Sequence, residues 1–451
     1  MLVLVTLVAS VISSFGAPLI PTVARDFHEP PSAAQWTLTV ALLVGAVSSP
    51  ILGRLADGPH RRTTMLGGLT LVTAGGIVAA LAGSLTVLIT GRALQGVGLG
   101  LAPLAIATAR DELPQAEVGP AIALLSVSAG AGLGLGYPIS GVLADAWGLA
   151  GAYWFGAAVS GVALLCVAAV VPSSARRNPG ERLDWPGAVL LTSALVPLLV
   201  AAAEGTDWGW SSPVIIILSL VGTTLLAMWA VQQLRAENPL VQLRLLRHPS
   251  VLAADACALV LGAAMYMVLS AVTQFVQSPR SGGFGFSASA VTAGLVLVPL
   301  SMFMLGSSHL LPAVVTRLGG RAVLTLGCLV TSVGCGFFAV FHDALWQAFV
   351  MSAVLGVGLG TTFAAIPGVI VQAVPGRETG SAMGFYQVVR FAGFSMGSAL
   401  TASVLAAHAD AAGQPAIDGY ILSLGASAGI SALAALLAWL LPGWASHTSG
   451  I

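Results

Sequence analysis

Three charged side chains, Arg92, Asp255 and Arg390, stand inside stretches of sequence that hold almost no other charge. A guanidinium keeps its proton in proteins and only donates hydrogen bonds, whereas a carboxylate can load and release one. Asp255 is therefore the proton-carrier candidate of the set, and Arg92 and Arg390 are candidates for charge compensation or ligand contact. Tyr386 and Gln387 precede Arg390 by about one helical turn, a spacing that lets the three share a helix face. Catalytic machinery has no such signature here. There is no HExxH, no GxSxG, no phosphate-cradling glycine loop followed by Lys and no histidine cluster. The four cysteines, Cys166, Cys257, Cys328 and Cys335, form no CxxC pair, so neither a zinc site nor a disulfide framework is expected. The chain is expected to be no enzyme and to need no metal or cofactor.

The elements that must position these residues are apolar helices. Of the 451 residues 57% are hydrophobic and only 8% charged, and the mean hydropathy is +0.95. Soluble domains carry about 25% charged residues, so the missing solvent is lipid. The net charge of zero gives no reason to expect a nucleic-acid partner. Runs of roughly 20 apolar residues span a bilayer as helices. About fourteen occur, near 2–20, 34–52, 64–82, 85–107, 118–143, 150–171, 185–203, 213–234, 251–275, 288–312, 322–341, 345–373, 381–407 and 419–441. Arg92 then lies roughly 10 Å into the fourth run, Asp255 roughly 6 Å into the ninth, and Arg390 near the middle of the thirteenth.

All seventeen basic residues are arginine. With the N-terminus inside, the loops after the second, fourth, sixth, eighth, tenth and twelfth runs hold thirteen of them, including Arg54, Arg61, Arg62, Arg110, Arg317, Arg321 and Arg377. Arginine-rich loops stay cytoplasmic, which predicts a multi-pass protein of the cell membrane with both termini cytoplasmic. An internal repeat supports an even count. Gln95-Gly96-Val97-Gly98-Leu99-Gly100 answers Leu355-Gly356-Val357-Gly358-Leu359-Gly360, and Leu113-Pro114 with Glu117 and Gly119 answers Val374-Pro375 with Glu378 and Gly380. Parallel repeats of this kind build one class of transporter. The expected plan is a six-helix bundle over 1–172, a linker with an inserted helix pair over 173–249, and a second six-helix bundle over 250–451.

Several motifs resemble those of the major facilitator superfamily, and in particular its fourteen-helix drug:proton antiporter branch. Gly53-Arg54-Leu55-Ala56-Asp57-Gly58-Pro59-His60-Arg61-Arg62 is similar to the family's loop motif between the second and third spans, with His60 where glycine is usual. Arg92-x-x-Gln95-Gly96-x-Gly98 resembles the family's second motif. Gly132-Leu133-Gly134-Leu135-Gly136-Tyr137-Pro138-Ile139-Ser140-Gly141 resembles the antiporter motif, with Tyr137 in place of a glycine. Leu183-Asp184-Trp185-Pro186-Gly187, Glu204-Gly205-x-x-Trp208-Gly209-Trp210 and Asn238-Pro239-Leu240 look like features of the fourteen-helix branch. The acidic residue usual in the first helix of that branch has no counterpart in Ser13-Ser14-Phe15-Gly16-Ala17-Pro18-Leu19-Ile20-Pro21.

The resemblance implies an all-α integral membrane protein of major-facilitator type, two pseudo-symmetric six-helix bundles plus an inserted pair. It implies proton-coupled export of hydrophobic or cationic small molecules by a monomer in the lipid bilayer, with export of a self-made metabolite or proton-independent diffusion as alternatives. Gly53, Asp57, Arg61 and Arg62 would form a conformational switch, the alternative being a basic loop that only sets topology. Arg92, Asp255 and Arg390 would form a charge network. Against this stand a snorkelling Arg92, an interhelix hydrogen bond at Arg390 and a helix-end carboxylate at Asp255. Gly132, Gly136, Pro138 and Gly141 would form a seam or simply a close-packed face. Trp36, Gln95, Gln274, Tyr386 and Gln387 are substrate-cavity candidates, with Trp154 and Phe275 among the aromatics that serve either a cavity or packing.

Overall fold

A computed structural model of the chain describes residues 2–13, 15, 19–29, 31–57, 61–170, 183–205, 208–280, 283–409 and 415–440. The described residues are almost wholly helical, with one isolated bridge, Ala409 to Pro415, as the sole extended pairing among them. The helices are α1 (Leu2–Ser13), α2 (Ile20–Asp26), α3 (Pro31–Asp57), α4 (Arg61–Ala80), α5 (Leu85–Gly96), α6 (Leu101–Glu112), α7 (Gln115–Val170), α8 (Trp185–Glu204), α9 (Pro213–Arg235), α10 (Pro249–Gln277), α11 (Ala290–Val296), α12 (Val298–Val340), α13 (Leu345–Ala373), α14 (Thr379–Ala407) and α15 (Ile417–Leu440). Twelve helices among the described residues are long and apolar enough to cross a membrane, and Leu2–Ile12 is a shorter apolar one. Large apolar side chains such as Leu165, Ile217, Leu220, Met302 and Val333 are exposed, which suits a surface bathed in lipid.

Two long helices contain a turn from one span into the next. α7 breaks at Gly148 with φ 69° and α12 at Gly319 with φ 79°. Left-handed backbone is open to glycine at no steric cost, so one residue redirects the chain without a loop. Two local features differ from a reading by hydropathy alone. The first apolar run is divided, α1 ending at Ser13 and α2 beginning at Ile20. Pro21 stands in the first turn of α2, where the donor that proline lacks would have no intrahelical partner in any case. The repeated glycine motif also takes two forms. Val97–Gly100 is a 3-10 turn between α5 and α6, whereas α13 runs through Leu355–Gly360 unbroken.

The chain divides into two compact units. The first comprises Met1–Thr192, Val231–Gln242 and Pro375–Val388. Its interior is built by α1 and α4 against α7, and α3 and α4 against α5. Val5, Val8, Met65, Leu69, Val72, Leu101, Leu104 and Val167 fill one buried cluster, and Phe15, Leu19, Leu88, Leu149 and Tyr153 another. Small residues allow close approach in lipid: a Cβ on Gly75 would lie 2.6 Å from the Gly91 carbonyl oxygen. The second unit comprises Ser193–Ala230, Leu243–Val374 and Val389–Ile451. There α12 packs on α13 and α15, and α10 on α13 and α15. α13 is the most buried of the twelve apolar helices and α9 the least.

Candidate functional site

Arg92 is fully buried in the first unit. Its Nε donates to the Thr37 carbonyl on α3 at 3.0 Å, and Nη1 donates to the Ile12 carbonyl at 2.8 Å and to Gln95 Oε1 at 2.8 Å. Ile12 is the next-to-last residue of α1, and its carbonyl also accepts from the Phe15 amide at 3.2 Å. A cation also suits the negative end of a helix dipole. The end of α1 thus supplies one of the three acceptors that Arg92 fills. The Tyr153 ring on α7 completes the surroundings, its centroid 6.0 Å from Arg92 Cζ.

A second polar cluster in this unit gathers the ends of α3, α4, α6 and α14. Arg61 Nε donates to the Ala56 carbonyl at 2.7 Å, and Arg61 Nη2 pairs with Asp111 Oδ2 at 2.7 Å, with side chains 6% and 10% exposed. Arg62 Nη2 reaches the Ala168 carbonyl on α7 at 2.7 Å. Arg110 Nη1 donates to Thr379 Oγ1 at the start of α14. Glu378 Oε1 accepts from Gln242 Nε2 at 3.0 Å, and Ser381 Oγ donates to the Leu240 carbonyl at 2.7 Å. Asp184 anchors the same segment by accepting from Gln233 Nε2 at 2.7 Å, Gly187 N at 2.9 Å and Gln232 Nε2 at 3.1 Å. Gly58 to His60 and the Asp57 side chain lie outside the described residues.

In the second unit Asp255 is buried on α10, and its Oδ1 has no hydrogen-bond partner among the described residues. Two turns on, Gly262 meets α14: a Cβ there would lie 2.9 Å from the Arg390 carbonyl oxygen. The Arg390 side chain is buried among phenyl rings, 5.6 Å from the Phe363 and Phe394 centroids and 5.8 Å from that of Phe391. Tyr266 stacks on Phe394 at 4.9 Å. Cation–π attraction grows in a desolvated setting, so these rings hold the guanidinium without a salt bridge being required. Elsewhere Phe275 is a hub for Phe284, Phe286, Phe338, His342 and Tyr420 at 5.4–5.8 Å. Beside it lies a cavity of about 380 Å³ lined by Arg280, Phe284, Phe286, His342 and Asp343.

A family model described as the Major Facilitator Superfamily matches residues 2–398 and 313–447. The chain belongs to the major facilitator superfamily. It is similar to the multidrug resistance protein Stp of Mycobacterium tuberculosis, 29% identical over 88% of this chain and 74% of that protein. It is also similar to the tetracenomycin C resistance and export protein of Streptomyces glaucescens, 27% identical over 86% of this chain and 72% of that protein. The crystal structure of the human organic anion transporter MFSD10 (TETRAN) superposes with a TM-score of 0.67 over 97% of this chain and 98% of that one. At 16% identity that likeness speaks to the fold. This major facilitator is a multi-pass membrane transporter.

The other candidates divide between buried and exposed positions. Gly132 packs α7 on α1, where a Cβ would lie 2.7 Å from Ser10 Cβ. Gly136 and Pro138 are buried on the same helix, and Gly141 is half-buried. Trp36 is half-buried on α3 and Gln274 is exposed on α10, while Tyr386 and Gln387 are buried on α14. Gly53 faces the Gly380 carbonyl, and a Cβ on Gly384 would lie 2.8 Å from Pro50 Cα. Backbone meets backbone there, so no rotamer change can make room. Gly384→Val should force α3 and α14 apart and lower transport by about tenfold or more, since such overpacking costs about 1–3 kcal/mol. Transport in vesicles at equal membrane expression checks this, and wild-type rates would show that the seam yields.

Sequence reasoning missed Asp111 and Tyr153. Asp111 sits in Arg110-Asp111-Glu112, which reads as a solvated turn. Tyr153 neighbours Trp154, the aromatic that drew notice, yet Trp154 is 46% exposed and Tyr153 is fully buried. The usable signal was the run of Tyr153, Gly156 and Ser160 at helical spacing, a small-and-polar stripe on an otherwise apolar span.

Proposed function

We propose that this major facilitator exports hydrophobic or cationic small molecules of the drug or antibiotic kind, driven by proton antiport. The observation that carries export is the likeness, over most of the chain, to proteins named for multidrug resistance and for tetracenomycin C resistance and export. The reading comprises fourteen spans, with Leu2–Ser13 and the part of α7 before Gly148 added to the twelve long apolar helices. It keeps a six-plus-two-plus-six plan with boundaries at 172 and 249, a monomer, and both termini on the cytoplasmic side of the cell membrane. Alternating access would rock the two bundles about a midplane site. Gly53, Asp57, Arg61 and Arg62 would bias the conformational equilibrium, and Gly132, Gly136, Pro138 and Gly141 would keep the seam along α7 tight. Trp36, Gln95, Tyr386 and Gln387 are retained as cavity residues, with the exposed Gln274 the weakest of the set.

With no acid in the first span, proton carriage falls to Asp255, a buried carboxylate with one oxygen left without a hydrogen bond. Arg92 and Arg390 provide the fixed charge with which substrate and proton would compete. In everted vesicles, uptake of a lipophilic dye should require an inward-acid pH gradient. Asp255→Asn should lower gradient-driven uptake by about tenfold or more while leaving dye exchange at equal pH near wild type, as loss of one essential proton acceptor predicts. Equal wild-type uptake with and without the gradient would overturn antiport. Unchanged gradient-driven uptake in Asp255→Asn would remove that residue as the carrier.

A further inference from the structure

Two buried donors of the first unit lack an acceptor. Gln95 and Tyr153 are both fully buried, and neither Gln95 Nε2 nor the Tyr153 hydroxyl has a hydrogen-bond partner among the described residues. The orientation of the Gln95 amide is set by its neighbour. Arg92 Nη1 donates to Oε1, and a guanidinium has no acceptor atom to offer. Nε2 must therefore point away from Arg92.

The helices are in register at this place. Tyr153 on α7 faces Arg92, and Gly156, one turn on, faces Gln95. A Cβ added at Gly156 would lie 3.9 Å from Gln95 Nε2, 3.6 Å from the Phe15 ring and 3.7 Å from Ile12 Cγ1. The missing side chain leaves room for a small group beside Nε2, walled by apolar carbon. Orphaned buried donors are uncommon in folded proteins and call for an explanation. An acceptor that arrives with a ligand provides one.

The sign of the local charge narrows the ligand. Arg92 places a fixed positive charge next to both donors. That charge repels a cation, and the acidic residues of α1 to α7 that could offset it stand at helix ends or beside the Gly148 break: Asp26, Asp57, Asp111, Glu112, Glu117 and Asp145. In the second unit Asp255 stands near the start of α10, while Arg390 lies among three phenyl rings.

We infer that Gln95 and Tyr153, beside Arg92, bind an oxygen acceptor of the transported molecule, and that this molecule is an aromatic anion carrying a phenolate or carboxylate. This rests on the export reading and replaces its cationic branch.

Two dyes with one tricyclic frame and opposite charge test it. Fluorescein is an anion and pyronin Y a cation. Both are offered to everted vesicles, and retained dye is measured after filtration. Fluorescein should be taken up at least about tenfold faster than pyronin Y. Gln95→Leu and Tyr153→Phe should each slow fluorescein uptake about fivefold, the effect of one hydrogen bond. Tyr153→Phe deletes a single oxygen, so it carries the reading if Gln95→Leu fails to fold. Uptake of pyronin Y without fluorescein would overturn the inference and leave export standing. Uptake of neither dye would overturn both. Fluorescein uptake unchanged in stably folded variants would overturn the subsite.

Discussion

Arg92→Leu is expected to abolish export and to destabilise the purified protein by about 2–4 kcal/mol, measured as a fall in melting temperature. The estimate follows from what the guanidinium holds. It joins the end of α1, the third helix and Gln95 through bonds of 2.8–3.0 Å from a fully buried site. Hydrogen bonds from a charged donor contribute more than neutral ones, but the Ile12 carbonyl keeps the Phe15 amide at 3.2 Å, which holds the figure below the sum of three. Arg92→Lys separates charge from geometry. One ammonium retains the positive charge but cannot fork towards three acceptors on different elements. It should recover most of the stability and less than about a tenth of the transport. Full transport in Arg92→Lys would reduce the residue to a bare charge, and full transport in Arg92→Leu would remove it from the mechanism.

The same residue marks what sequence could reveal. A charge inside an apolar run is conspicuous because lipid makes it costly, so Arg92, Asp255 and Arg390 could be picked out at once. Hydropathy likewise located the twelve long apolar helices among the described residues, since bilayer thickness sets their length. The partners were hidden. Arg92 meets the backbone carbonyls of Ile12 and Thr37, and carbonyls belong to every residue. Arg390 meets Phe363, Phe391 and Phe394, which look like ordinary packing in a chain rich in apolar residues. Tyr153 was hidden by helical phase: successive residues on a helix differ by about 100° in direction, so only one of Tyr153 and Trp154 can face inward. The divided first run escaped a hydropathy count because its residues are apolar on both sides of the division.

Asp111 illustrates the same gap and carries the second large expected effect. Asp111→Ala should destabilise the protein by about 3–5 kcal/mol, because it leaves the Arg61 guanidinium without the ion pair in a site almost closed to solvent. Arg61→Ala should cost a similar amount, for it also removes the bond to the Ala56 carbonyl at the end of α3. Arg61 therefore holds α3 and α6 together, and the preceding residue of α6, Arg110, holds the start of α14. Losing the pair should loosen the helix ends that the loop motif is proposed to control, raising the labelling of a cysteine introduced next to Gly380 along with the loss of stability. The exchange Arg61→Asp with Asp111→Arg discriminates between Coulomb attraction and specific geometry. It restores opposite charges, but aspartate cannot donate to Ala56, so recovery should be partial, with a coupling energy of about 1–3 kcal/mol in the double-mutant cycle. Additive losses in that cycle would mean that Arg61 and Asp111 act separately, and that their ion pair is no part of the clamp.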